Sequence, residues 1–173
     1  MLPIPLALAF IAILFIIVVA GLPDEFTIKR SLNISAPPEK IFPHVNDLHQ
    51  WHAWSPWGKL DPNATPTFSG ADAGLGAAMA WVGNNKVGQG KMTIIESQPS
   101  QSIRFRLEFL KPMVATNIAE FTFKPEGNQT RVTWAMSGKN NLMGKIFGLL
   151  VNCDKMVGGQ FEKGLTSLQQ VVG

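Results

Sequence analysis

Apolar and polar positions alternate in several stretches of the chain. From Phe26 to Ile34, Phe26, Ile28, Leu32 and Ile34 share one face and Thr27, Lys29 and Asn33 the other, which predicts a half-buried strand. Ala77 to Val82 and Val87 to Glu96 read as two strands joined by a turn at Asn84-Asn85, with Gly88 and Gly90 marking a bulge or bend. Ser102 to Leu110 alternates cleanly, Ile103, Phe105, Leu107 and Phe109 against Arg104, Arg106 and Glu108. Val114 to Phe123 runs back with Ala119, Phe121 and Phe123 inward, and Arg131 to Ser137 follows with Val132, Trp134 and Met136 inward. One face of this meander is apolar and the other charged, as in an antiparallel sheet with one wet side.

Two stretches change period. Ser35-Ala36-Pro37-Pro38-Glu39 reads as a helix start with Ser35 as cap, followed by Ile41, Phe42 and Val45 on one face. Asp47 to Trp51 continues as a second short helical turn, and His52 to Pro66 as a loop. At the C-terminus Leu142, Ile146, Leu149, Cys153, Val157, Phe161, Leu165 and Leu168 recur every three or four residues, which predicts one amphipathic helix of nearly thirty residues, capped by Asn140 or Asn141. Gly158-Gly159 inside it points to a bend or a close backbone approach. The predicted architecture is α+β: a curved antiparallel sheet of about seven strands wrapped on a long C-terminal helix, with a cavity between them.

Residues 1–22 are different again. They carry no charge, and Pro5 to Val19 is almost wholly Leu, Ile, Phe, Val and Ala. A span needs roughly 20 apolar residues, so the segment is read as a transmembrane helix, with Pro3 and Pro5 in its first turn. The competing reading is a signal peptide cut after Val18-x-Ala20; the missing basic residue ahead of the apolar run argues against it. Lys29, Arg30 and Lys40 follow the span, which leans toward a single-pass protein with a cytoplasmic domain of residues 23–173.

Composition narrows the function classes. Of 173 residues 46% are hydrophobic and only 16% charged, which excludes intrinsic disorder. The net charge of +3 is spread singly along the chain, with no Lys/Arg run, so nucleic acid is not an expected partner. One cysteine, Cys153, excludes an internal disulfide and a multi-cysteine zinc site.

Candidate chemistry is sparse. His44, His49 and His52 cluster within nine residues, and with Asp47 and Asp61 they are the acid/base candidates, joined by Glu96 near a strand end. No metal-ligand spacing, nucleophile pattern or phosphate-binding glycine loop accompanies them, so neither a metal nor a cofactor is expected. Trp51, Trp54 and Trp57 are spaced by three, and either stack on a flat ligand at the cavity mouth or plug the end of the core. The other cavity-lining candidates are the aromatics Trp81, Phe105, Phe109, Phe121, Trp134 and Phe161. To these are added the smaller side chains Leu107, Met136 and Val157, with Asn117 as an inward polar hook.

Three motifs resemble a known family: Ser35-Ala36-Pro37-Pro38-Glu39-Lys40-Ile41-Phe42; Trp51-His52-Ala53-Trp54-Ser55-Pro56-Trp57 followed by Asp61-Pro62; and Lys155 to Leu165 in the last helix. Together with the strand count they are similar to the helix-grip (START-like) superfamily, and within it to membrane-anchored bacterial members of the polyketide cyclase/dehydrase, or SRPBCC, group. The resemblance covers residues 26–172 and implies the fold. It implies binding of a lipid-like or polyketide-like hydrophobic molecule, and brings no shared catalytic motif. The leading expectation is a membrane-tethered binding module. The alternatives are a cyclase, dehydratase or hydrolase of a hydrophobic substrate, or a partner-binding stress-response domain.

Overall fold

In the computed structural model of the chain, residues 4–173 are described; Met1, Leu2 and Pro3 of the expected anchor lie outside them. The order is α1 (Ile4–Ala20), β1 (Glu25–Ile34), α2 (Pro38–Asn46), a 3-10 turn (Leu48–Gln50), α3 (Trp51–Trp54), α4 (Trp57–Leu60), β2 (Thr67–Ser69), β3 (Ala78–Val82), β4 (Gln89–Gln98), β5 (Ser102–Lys111), β6 (Ala115–Glu126), β7 (Gln129–Lys139), α5 (Leu142–Leu150) and α6 (Cys153–Val172). The seven strands form one antiparallel sheet in the order β1-β7-β6-β5-β4-β3-β2, so the first strand closes against the last and the rest is a meander. α6 lies across the inner face against β1, α2 and α3. This is the antiparallel sheet on a C-terminal helix expected from the alternation pattern, and it agrees with the helix-grip fold that the resemblance implies.

Register puts the inward residues in rows across the sheet. Ile94, Phe105, Ala119, Met136 and Ile28 make one row, and Ile103, Phe121, Trp134 and Arg30 the next. Trp134 stacks on Phe161 of α6, ring centroids 4.2 Å apart. Trp51 and Trp54 are fully inside, edge-on to Phe121 and Trp134, and their indole N–H groups donate to the Val45 and His44 carbonyls at 2.9 Å. These two hydrogen bonds fold α3 back under α2, which removes polar cost from burying two indoles. Pro56 ends the tryptophan helix, so Trp57 starts α4 and is only half-buried.

Arg30 stands in an apolar row, paired with Trp134 across the ladder. All five of its N–H donors are used. Nε donates to Glu162 at 2.7 Å, Nη2 to Asp154 Oδ2 at 2.8 Å and to the Asp154 carbonyl at 3.1 Å, and Nη1 to Asp154 Oδ1 at 3.1 Å and the Lys29 carbonyl at 2.8 Å. Asp154, Gly158 and Glu162 are four residues apart, hence on one face of α6, with the glycine between the two carboxylates. A Cβ on Gly158 would collide with the guanidinium, and one on Gly164 with the Trp134 ring and Pro56. The helix approaches the sheet closely because those two side chains are absent.

Two expectations are corrected, the single C-terminal helix and the Ser35 cap. The C-terminal helix is two helices, broken at Val151, which is extended (φ −129°, ψ 128°). Asn141 caps α5 by accepting from Gly144 N–H, and Asn152 starts α6 anew by accepting from Lys155 N–H, both at 2.8 Å. Of the two readings for Gly158-Gly159, the close approach holds for Gly158, and the break lies at Val151. Ser35 does not cap α2, whose start is Pro37-Pro38 without a side-chain cap. The expected anchor forms α1, 17 residues long, and among the described residues no helix is long and apolar enough to cross a membrane.

Gly158→Ala is expected to lower stability by about 1–3 kcal/mol, because the new methyl displaces the guanidinium. Gly159→Ala, which meets nothing within 4 Å, should raise it by about 0.5–1 kcal/mol. Urea unfolding of the two variants checks the pair, and equal effects would refute the close-approach account.

Candidate functional site

The inner face divides into two halves of different character. Toward α2 and α3 it is packed solid. Trp54, Phe105 and Phe121 have no exposed surface, and Trp134 and Phe161 retain 3% and 2%. These five expected cavity-lining residues are core, each touching other rings and leaving no gap for a ligand among them.

Toward the other end the next row is less enclosed. Leu107, Phe26, Met79 and Trp81 are half-buried against the core, as is Val157 of α6. Trp81 meets Phe109 edge-on at 6.1 Å and donates its N–H to the Val87 carbonyl at 3.4 Å. Met79, Met92, Leu107, Asn117, Gly138 and Phe26 form one continuous row across six strands. Asn117 is the polar member. It is 8% exposed, and its Nδ2 donates only to the Met136 sulfur, at 3.9 Å. A thioether is a weak acceptor, so the amide keeps most of its hydrogen-bonding capacity. Its room comes from Gly138 opposite, where a Cβ would collide with Asn117 Oδ1. Of the twelve expected ligand-binding residues, Trp81, Leu107, Phe109 and Asn117 belong to this open half; Met136 is part of the buried core, and Val157 on α6 and Trp57 on α4 are half-buried against it.

Two hollows lie outside the grip. One of about 370 Å³ runs between α4 and α6 and is lined by Pro56, Lys59, Leu60, Gln160, Lys163 and Thr166 among others. The other, about 310 Å³, opens at the corner where β1, β7 and β6 meet, beside Glu25, Phe26, Thr116 and Lys139.

The acid/base candidates are not brought to one place. Asp47 accepts from the His49 backbone N–H at 2.9 Å and from Gln50 at 3.2 Å, and its ring contact with His49 is 3.0 Å. Partial burial works to raise the Asp47 pKa, but these hydrogen bonds outweigh it and hold the carboxyl below its usual range. His49 stacks on Phe68 at 4.0 Å, and His52 Nδ1 sits 2.7 Å from the His49 carbonyl. Asp61 accepts from the backbone N–H groups of Asn63 and Asn84, at 3.2 and 2.6 Å, tying the tryptophan loop to the β3–β4 turn. Glu96 does not point inward: the β4 bulge between Ile94 and Glu96 turns it toward Arg104, 3.3 Å away, and Gln98. Cys153 is half-buried at the first turn of α6. Among the described residues no three His, Cys, Asp or Glu side chains are grouped to hold a metal ion.

Sequence reasoning missed Arg30 and its clamp. Arg30 is in phase with Ile28 and Leu32, and the spacing of Asp154, Gly158 and Glu162 was readable; what the sequence lacked was the pairing of β1 with α6. Its hydrogen bonds with Asp154 and then Glu162 raise the guanidinium pKa further, and Arg30 in turn lowers that of Asp154.

Set beside known proteins, residues 25–173 match the family described as polyketide cyclase / dehydrase and lipid transport. The chain belongs to that family. Among solved structures it is similar to protein CV1439 from Chromobacterium violaceum, with 17% identity over 87% of this chain and 98% of that one, TM-score 0.60. It is similar also to the Aha1 dimer from Colwellia psychrerythraea (16% identity, 85% and 96% covered, TM-score 0.60). A third is CalU16 from Micromonospora echinospora (14%, 86% and 85%, TM-score 0.56). At these identities the likeness is one of fold. Among curated proteins no sequence matches. Family and fold together point to hydrophobic-ligand binding or a cyclase-type role.

The clamp carries a pH dependence. The folded-state pKa of Asp154 lies below its unfolded value of about 3.9, so the unfolded chain binds more protons in that range. Stability from the clamp is complete above that value and is lost as the pH falls through the folded pKa. Asp154→Asn should be less stable than the parent at pH 7, with the gap closing on acidification below about pH 4. Urea midpoints measured across that range check it; a constant gap would refute it.

Proposed function

We propose that the domain takes up a hydrophobic or amphipathic small molecule, lipid-like or polyketide-like, at the open half of the grip. Asn117 is its polar contact, and α1 holds the domain at a membrane. The observation that carries the reading is Asn117: a buried amide on a floor of Met79, Met92 and Leu107, whose own partner is a sulfur atom. A buried polar group normally has a full partner, and a ligand carbonyl or hydroxyl supplies one here. Met79, Met92 and Met136 fit ligands of irregular outline, because the thioether chain adapts its shape.

The membrane part draws on α1 itself. Leu6, Phe10, Ile13 and Ile16 are all more than half exposed to solvent, on a helix without a charge. At about 1.5 Å per residue its 17 residues reach roughly 25 Å, short of a ~30 Å hydrocarbon core. The helix is read as seated in lipid with the bilayer thinned around it. Lys29, Arg30 and Lys40 beyond it favour a domain on the cytoplasmic side.

The test is to purify the full chain from its own host, extract the bound small molecules, and compare Asn117→Leu with the parent. One compound class should be retained by the parent above a detergent blank. Retention should fall roughly tenfold in the variant, since a ligand hydrogen bond is worth about 1–1.5 kcal/mol. No retained compound, or equal retention, would overturn the reading.

A further inference from the structure

Several strongly exposed apolar side chains of the domain gather at one end of it; Leu75, in the β2–β3 loop, and Met156 on α6 are exposed elsewhere. Register aligns Val82 with Gln89, Gln89 with Lys111, Phe109 with Ala115 and Glu25 with Lys139, so these strand ends form a single rim. On it Val82 is 66% exposed, Leu110 51%, Met113 43% and Val114 75%. The open half of the inner face, with Asn117, lies directly behind. α5 is fastened to the same end: Lys145 pairs with Asp24 at 2.6 Å and the Asn140 N–H donates to the Asp24 carbonyl at 2.8 Å. It adds Leu142, 64% exposed, and Phe147, 39%.

We infer that this rim docks into the headgroup layer of an anionic bilayer. Three observations select lipid over a protein partner. The apolar side chains come from strand ends, a hairpin tip and α5, which make a rim and not a groove for a helix or a free edge for a strand. Exposed Lys86, Lys111 and Lys139 are interleaved with them, and basic residues among apolar ones suit a surface that meets lipid phosphates. Most directly, α1 ends at Ala20 and β1 begins at Glu25, at this same end, so a bilayer that holds α1 already lies against the rim. The inference rests on the proposed seating of α1 in lipid and not on ligand uptake. It gives the open half a route to the bilayer that does not pass through water.

The test uses the full chain with Cys153→Ser and one new labelled cysteine, at Val114→Cys on the rim or at Asn128→Cys in the β6–β7 turn at the opposite end. Each carries an environment-sensitive fluorophore and is reconstituted in vesicles of phosphatidylcholine with phosphatidylglycerol. The rim label should shift to the blue and be quenched by spin-labelled lipid, and the Asn128 label should stay aqueous. Replacing Lys86, Lys111 and Lys139 by Gln should reduce the rim response to that seen on phosphatidylcholine alone. An aqueous rim label overturns the docking. If the chain still floats with the vesicles, the seating of α1 survives that result; if it does not float, both fall. A blue-shifted rim label without vesicles, growing with protein concentration, would also overturn it, in favour of self-association.

Discussion

The domain depends on how closely α6 can lie on the sheet. A helix carrying ordinary side chains would stand off the inner face by about 10 Å. Here Gly158 and Gly164 remove the spacers, Phe161 between them stacks on Trp134, and Arg30 reaches up from β1 to bind the helix on both sides of Gly158. A charged residue in an apolar row would ordinarily be costly. It is tolerated because its five donors are all satisfied and its charge is met by two carboxylates. β1 is also the strand that closes on β7, so the same residue ties the sheet's last ladder to the helix.

Close approach on one side leaves the other side loose. α6 packs most closely on β1, with α3, α2 and β7 beside it. Aromatic rings fill the space beneath it, where packing is tight enough to fix a single arrangement. In the next row Met79 and Leu107 are only half-buried, beside the buried Met92 and Asn117. On the proposed reading, stability and binding fall to opposite halves of one continuous inner face. Family membership and the fold agree with a hydrophobic guest, and the packing of Trp54, Phe121 and Trp134 leaves their half no room for one.

Much of the architecture was legible from alternation alone: six of the seven strands and their inward faces; the helix cap was narrowed to Asn140 or Asn141, and Asn141 holds it. β2 was not, because three exposed residues carry no period. The break at Val151 was hidden because the apolar repeat of α5 continues in phase into α6, and only an extended backbone and a second asparagine cap reveal two helices. Candidate site residues were legible by type and not by depth. Phe105 and Leu107 have the same sequence signature, yet one is fully enclosed and the other half-open, because enclosure is decided by α3 and α6, far away in sequence. Glu96 was misplaced by a bulge that shifts phase by one residue.

The Arg30–Gly158 contact also shapes how this chain can change. A larger residue at 158 is admissible only if position 30 shrinks, and a smaller residue at 30 strands Asp154 and Glu162 and leaves a void under the helix. The double step relieves the clash but still leaves the two carboxylates without their partner, so the effects at the two sites are not additive and each has to be judged with the other. An engineer grafting this helix onto a related sheet has to treat residues 30 and 158, 128 positions apart in sequence, as one unit.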